Sequence, residues 1–182
     1  CGDDGQVLLS GELERILDRN LDKGLILDAH IAQNEEQRLI MWERREAAAE
    51  ISLLKTPLIN NDIAVPLDKI SKFLTIMEKK LPELDPDADV LIVSHLGDGN
   101  VHYTVWPSRD DEQHKDKIME AIENVVLSLG GSFSAEHGIG LSKLSSMERR
   151  KDRVALDVMR QIKHAIDPEG IMNPGKVLPK IY

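Results

Sequence analysis

Apolar residues change their period along this chain, and the changes mark its elements. Leu13, Ile16 and Leu17 make a helical face over Gly11–Asp22, with Ser10 placed to N-cap it and Gly24 to stop it. Val7–Leu9 reads as a short strand before this helix and Leu25–Ile31 as a strand after it. A long helix is predicted over Asn34–Leu54, carried by Leu39, Ile40, Trp42 and the alanines at 47–49. The segment Lys55–Asn61 contains Pro57 and Asn60-Asn61 and reads as a break.

A second pattern starts at Asp62. Asp62–Val65 is a short strand, and Pro66 opens a helix to about Lys80, since proline is tolerated at a first helical position. Ile70, Phe73, Leu74, Ile76 and Met77 fit its helical period. After the acidic loop Leu81–Asp89 come strands Val90–His95 and Val101–Trp106, a helix over Asp110–Leu129 and a strand over Gly131–Ser134. That order, β-α-β-β-α-β, predicts an α+β fold with a ferredoxin-like antiparallel sheet and two helices on one face. A last helix is expected over Met147–Ile166, with Val154, Leu156, Val158, Met159 and Ile162 at least partly inward. Asp167-Pro168-Glu169-Gly170 ends it, and an extended tail follows from Ile171 to Lys176. The expected organisation is a strand-and-helix part over residues 1–61 and a ferredoxin-like core with C-terminal helix and tail over 62–182.

The formal net charge of −9 and the 3% aromatic share leave neither a basic stripe for phosphates nor stacking platforms for bases, so no nucleic-acid partner is expected. No apolar run is long enough for a transmembrane helix. Cys1 is the single cysteine, which rules out an internal disulfide and a cysteine-rich zinc site and suits a reducing compartment. The chain lacks an initial Met and a visible signal peptide, and it reads as an excised piece of a longer protein.

The candidate chemistry is concentrated in His95-Leu96-Gly97-Asp98-Gly99-Asn100-Val101-His102. A four-residue turn over Gly97–Asn100 would pair Leu96 with Val101 and set His95 opposite His102. Opposed side chains share a sheet face with Cβ atoms roughly 4.5–5.5 Å apart, a spacing from which two imidazoles can hold one metal ion. Imidazole suits zinc and similar cations, and a catalytic site needs about three protein ligands and an open position. Glu136, in Ser134-Ala135-Glu136-His137-Gly138-Ile139-Gly140, would complete a His₂Glu set if the chain turns there, leaving His137 free as a general base. The competing reading is that the histidines bond only to the hairpin backbone and that the second motif is a glycine-rich loop. Gly138-Ile139-Gly140 is not a dinucleotide fingerprint, because the third glycine is missing. Arg45 could clamp a carboxylate, although a solvated helical arginine is the default. The same default applies to Lys143 and Lys176, while His30, His114 and His164 read as surface or packing residues.

Taken together, HLGDGNVH, SAEHGIG with Lys143, and KHAIDPEGIMNPGK resemble the C-terminal part of the FAD-linked oxidases. This family shares the fold of vanillyl-alcohol oxidase and includes D-lactate dehydrogenase, the glycolate oxidase FAD subunit and D-2-hydroxyglutarate dehydrogenase. The resemblance runs from about Trp42 to Pro179. It implies the substrate-side or cap domain of an FAD-dependent D-2-hydroxyacid dehydrogenase, a fragment of a two-domain flavoenzyme whose FAD is held mainly by an N-terminal domain absent from this chain. It also implies that His95, His102 and Glu136 bind a divalent metal such as zinc, that His137 is the base, and that Arg45 binds the carboxylate of a small 2-hydroxy acid. Asn173 and Lys176 would lie near the flavin or the substrate site. Thr104 stands where the 2-hydroxyglutarate subfamily has a substrate-binding Asn, Ala49 where it has Thr, and Asn60 loosely where it has Lys. These departures weaken support for a second substrate carboxylate and leave lactate, glycolate or a hydrophobic 2-hydroxy acid open. The resemblance points to the cytoplasm or a mitochondrion, and a homodimer is compatible with it. The alternatives from other classes are a stand-alone metal-dependent hydrolase and a noncatalytic assembly domain.

Overall fold

A computed structural model describes residues 9–95 and 97–180, the side chains of residues 48 and 49 excepted. The chain divides into two compact units between Ala47 and Ala48.

In the first unit, α1 spans Leu9–Asp22. Ser10 lies inside this helix instead of capping it, because the helix already includes Leu9. Val7 and Leu8 of the expected first strand lie outside the described residues, and Leu9 is helical. Gly24 stops the helix as anticipated: its φ is +65°, and the Leu25 N–H reaches the Asn20 carbonyl at 2.9 Å. The strand expected over Leu25–Ile31 does not form. Leu25 and Leu27 are exposed, and among the described residues no strand pairs with this segment to satisfy its backbone or cover its side chains. Helix α2 spans Glu35–Ile51 and continues across the division between units. A reciprocal pair starts it: Asn34 Oδ1 accepts the Gln37 N–H at 2.9 Å, and Gln37 Oε1 accepts the Gln33 N–H at 2.8 Å.

The second unit contains β1 (Ile59–Ala64), a 3₁₀ turn over Leu67–Lys69, α3 (Ile70–Leu84), β2 (Asp89–Ser94), β3 (Asn100–Trp106) and α4 (Glu112–Ser128). The sheet order is β1-β3-β2, with both pairings antiparallel. The strand expected over Gly131–Ser134 shrinks to one antiparallel bridge between Ser132 and Ala64. Ala135 N–H still reaches the Asp62 carbonyl at 3.1 Å, but the span from Ser132 to Ala135 holds one residue more than the span it faces on β1. The ladder therefore bulges away from the sheet. Counting this bridge as a fourth strand beside β1 gives the strand arrangement of a βαββαβ sheet.

Alternation along the strands separates packing from chemistry. Ile59, Ile63, Val101, Tyr103 and Val105 join Phe73, Met77 and Leu81 of α3 and Ile118, Ile122 and Val126 of α4 in the buried core. Phe73 meets Tyr103 edge-on, with ring centroids 5.5 Å apart. The opposite register positions place Asp62, His102 and Thr104 on the other face of the sheet.

The expected helix over Met147–Ile166 is two helices, α5 (Leu144–Arg150) and α6 (Arg153–Ile166). Arg149 and Arg150 bond Glu123 of α4, drawing α5 onto that helix. Lys151 is extended, and the Asp152 side chain accepts the Ala155 N–H at 3.0 Å to cap a new start. Of the apolar residues expected inward on α6, Leu156 is buried and Met159 half-buried, while Val154, Val158 and Ile162 are exposed. Among the described residues no helix is long and apolar enough to cross a membrane.

Candidate functional site

The β2–β3 hairpin carries the first two candidate ligands, in a register different from the one expected. Val93 stands opposite His102, and Ser94 opposite Val101. His95 N–H bonds the Asn100 carbonyl at 3.0 Å, so His95 and His102 are diagonal neighbours instead of directly opposed. The turn falls one residue earlier because Asp98 Oδ1 accepts the Asn100 N–H at 2.9 Å and Gly99 takes a φ of +78°. Leu96, expected to pair with Val101, lies outside the described residues. A slip by an even number of residues keeps both histidines on one face. Their Nε2 atoms are 3.2 Å apart, and the rings meet edge-on.

Glu136 and His137 reach the same place from the loop after the Ser132 bridge. Glu136 Oε1 is 2.9 Å from His102 Nε2 and 3.6 Å from His95 Nε2. Ligand atoms about 2.1 Å from a tetrahedral zinc ion would be spaced about 3.4 Å apart, so these three donors are spaced as a single ion requires. His137 sits beside this set: its ring stacks on His102 with centroids 5.2 Å apart and planes 21° from parallel. Its Nε2 is 3.9 Å from Glu136 Oε1. His102 is the more enclosed of the ligands, with 18% of its side chain exposed against 49% for Glu136, so the cluster opens to solvent on its loop side.

The element that turns the loop is Asp62, to which the sequence reading gave no chemical role. Its buried Oδ2 accepts the Glu136 and His137 N–H groups at 3.0 and 2.8 Å and the Lys143 ammonium at 3.1 Å. Lys143 is therefore a buried ion-pair partner and not a solvated lysine, and it also donates to Ser134 Oγ at 3.0 Å. Burial alone would raise the Asp62 carboxyl, but the His137 N–H, Lys143 and the Glu136 N–H outweigh it and hold the group below its ordinary value. Asp62, His102 and His137 also form a second cluster of donors close enough for a cation. The signal available in the sequence was an acid next to Ile63 within a short apolar strand.

Thr104 lies two positions beyond His102 on the same sheet face and is buried opposite Asn60 and Leu91. Arg45 belongs to the first unit, with its guanidinium 5.5 Å from the Trp42 ring centre. Asn173 and Lys176 are exposed on a turn after α6, where Asn173 has a φ of +46° and its carbonyl accepts the Lys176 N–H at 3.2 Å. His30 and His164 are exposed. His114 is buried, with Nε2 2.8 Å from Asp85 Oδ2 and Nδ1 3.0 Å from Arg109 Nη2.

The family described as FAD linked oxidases, C-terminal domain, matches residues 3–177. A probable mitochondrial D-2-hydroxyglutarate dehydrogenase of Oryza sativa subsp. indica is 34% identical over 173 residues, covering 93% of this chain and 30% of the relative. The D-2-hydroxyglutarate dehydrogenase of Stutzerimonas stutzeri is 33% identical over 164 residues, covering 86% and 35%. A putative mitochondrial D-lactate dehydrogenase of Schizosaccharomyces pombe is 31% identical over 165 residues, covering 86% and 31%. The chain thus spans about a third of the length of the curated relatives it matches.

Proposed function

Because this chain belongs to the C-terminal-domain family of FAD linked oxidases, we propose that it is the substrate-side domain of an FAD-dependent D-2-hydroxyacid dehydrogenase acting on a lactate-, glycolate- or 2-hydroxyglutarate-type acid. The observation that carries this reading is the convergence of His95, His102 and Glu136 with His137 stacked alongside. Two imidazole nitrogens and one carboxylate oxygen suit zinc or a similar divalent cation. When bound, such a cation would polarise the substrate hydroxyl, and FAD held mainly by the N-terminal domain would supply the hydride acceptor.

The chain's own residues do the rest. His137, outside the ligand set, takes the hydroxyl proton on an imidazole nitrogen. Arg45 pairs with the substrate carboxylate through two parallel hydrogen bonds. Thr104 lies on the sheet face beside the proposed ligands, and Asn173 and Lys176 of the exposed tail would lie near the flavin or the substrate site. The product is the 2-oxo acid. Relatives named for 2-hydroxyglutarate and for lactate support the class of substrate. Thr104, Ala49 and Asn60 reduce the support for a second substrate carboxylate and keep a smaller or hydrophobic 2-hydroxy acid open.

A stand-alone hydrolase would use the same donors but would give the chain no reason to belong to a flavoenzyme family. An assembly domain would give no reason for a buried acid to brace the ligand loop. The test is flavin reduction in the intact FAD-containing protein, offered D-lactate, glycolate, D-2-hydroxyglutarate and longer apolar D-2-hydroxy acids. Bleaching of the flavin by at least one D-isomer and not by its L-isomer is expected. No reduction by any of them would defeat the proposal.

A further inference from the structure

We propose that Asp62 is a positioning residue whose Oδ1 accepts a hydrogen bond from His102 Nδ1, fixing the tautomer that leaves His102 Nε2 free to bind the cation. The inference rests on the proposed role of His102 as a ligand and goes beyond it, because nothing in the ligand set requires a second carboxylate.

Three observations point the same way. First, Asp62 is fully buried, yet its Oδ1 has no hydrogen-bond partner among the described residues. A buried carboxylate oxygen without a donor is costly, and such atoms are uncommon in folded proteins. Second, the donor that would satisfy it stands nearby: His102 Nδ1 lies 4.0 Å from Asp62 Oδ1. The two residues are direct register partners on β1 and β3, so the backbone holds them opposite each other. A displacement of about 1 Å would bring the pair to hydrogen-bond length. Third, the other His102 nitrogen already points at His95 Nε2 and Glu136 Oε1. A neutral imidazole carries one proton, so a proton fixed on Nδ1 leaves the Nε2 lone pair for a metal.

The other oxygen of Asp62 holds the second half of the site. By accepting the Glu136 and His137 N–H groups, Oδ2 sets where the carboxylate ligand and the free imidazole leave the loop. One carboxylate thus couples a ligand on a strand to a ligand on a loop, and Lys143 balances its buried charge. Outer partners of this kind orient a metal-bound imidazole and raise its basicity.

The experiment uses the intact protein with ¹⁵N-labelled histidine, and His102 is assigned by comparison with His102→Gln. In metal-free Glu136→Ala, which removes the carboxylate 2.9 Å from His102 Nε2, the neutral His102 ring is expected to carry its proton on Nδ1. Adding Asp62→Asn should abolish that preference, and Asp62→Asn alone should raise the apparent Kd for Co²⁺, measured by chelator competition, by about 10- to 100-fold. A Glu136→Ala ring protonated on Nε2 overturns the inference even if Asp62→Asn fails to fold. Folded Asp62→Asn proteins that leave the ring tautomer in the Glu136→Ala background and the Co²⁺ affinity unchanged overturn it as well. If the wild type binds no Co²⁺ or Zn²⁺, the metal reading fails separately, and the ring tautomer still decides the role of Asp62. Uptake of two equivalents of Co²⁺, lost together with Asp62, would make Asp62 a ligand and overturn the positioning role.

Discussion

His137 stacks on His102 at a centroid distance of 5.2 Å, which sets its imidazole beside the proposed ligand set of His95, His102 and Glu136. The two rings should respond differently to removal. His137→Gln is expected to lower kcat for the 2-hydroxy acid by about 10²- to 10⁴-fold, the usual range for a lost general base. Metal content, measured by elemental analysis, should stay near wild type. Loss of metal from this variant would instead make His137 a ligand.

His95→Ala, His102→Ala and Glu136→Ala should each lower metal content, since each removes one of about three protein ligands. Chelation of the wild type should abolish turnover, and added divalent cation should restore it. Flavin absorbance should persist throughout, because FAD is proposed to be held mainly by another domain. Full activity at zero metal content would refute the proposed role of the cation.

Arg45 offers a binding test. Its removal should raise KM more than it lowers kcat, because the proposed carboxylate contact would be made equally in ground and transition states. A charged hydrogen bond contributes roughly 1.5–3 kcal/mol, so Arg45→Met should weaken substrate binding by about 10- to 100-fold. Steady-state kinetics on the intact protein checks this, and an unchanged KM would remove Arg45 from the site.

The residues show which parts of this architecture can be read from sequence. Period and turn signals located α3, β3 and α4, because each buries one face against a neighbour in the same unit. β2 was also located, although Val90 and Ile92 on it are exposed. Only the second half of β1 was read as strand: Ile59–Asn61 fell in the expected break, because the two asparagines carry a turn signal inside a paired strand. Leu25–Ile31 misled because strand-like composition does not supply a partner strand. The break at Lys151–Asp152 was hidden because Val154, Val158 and Ile162 continue an apolar period through positions that are exposed. At the site, the two histidines and Glu136 were legible as metal-ligand types, and an even register slip preserved their shared face. Asp62 was not legible, since its importance comes from contacts with Glu136, His137 and Lys143, far away in the chain.

Asp85 gives a pH test that is independent of the site. Burial alone would raise its carboxyl, but the His114 ring and the Ser108 N–H outweigh it and bring it from 3.8 down to about 2. A carboxylate depressed in the fold contributes stability above its unfolded pKa and loses it as pH falls through the folded value. The loss should therefore run from about pH 4 down to about pH 2, and the shift corresponds to about 2 kcal/mol. Asp85→Asn should destabilise the protein by about this amount at pH 7 and flatten stability across that acid window. Urea unfolding midpoints at a series of pH values provide the measurement, and an unchanged acid slope would show that the Asp85–His114 pair carries no such linkage.

Gly99 connects packing to the site. Its φ is +78°, and a Cβ there would lie 2.1 Å from the Val65 carbonyl oxygen. The Gly99 carbonyl also accepts the Val65 N–H at 3.1 Å, seating the hairpin turn against the end of β1. An alanine meets both a left-handed backbone and a rigid backbone atom, so the turn must move. Gly99→Ala should cost at least about 1 kcal/mol of stability, because its native conformation is incompatible with a side chain. The displaced turn joins the strands that carry His95 and His102, so Zn²⁺ affinity should fall with stability although no ligand has changed. Gly97→Ala is the control, since a Cβ there meets nothing within 4 Å. Thermal unfolding and Zn²⁺ titration of both variants decide the matter: equal behaviour would show that the ligand spacing does not depend on the seat of the hairpin against Val65.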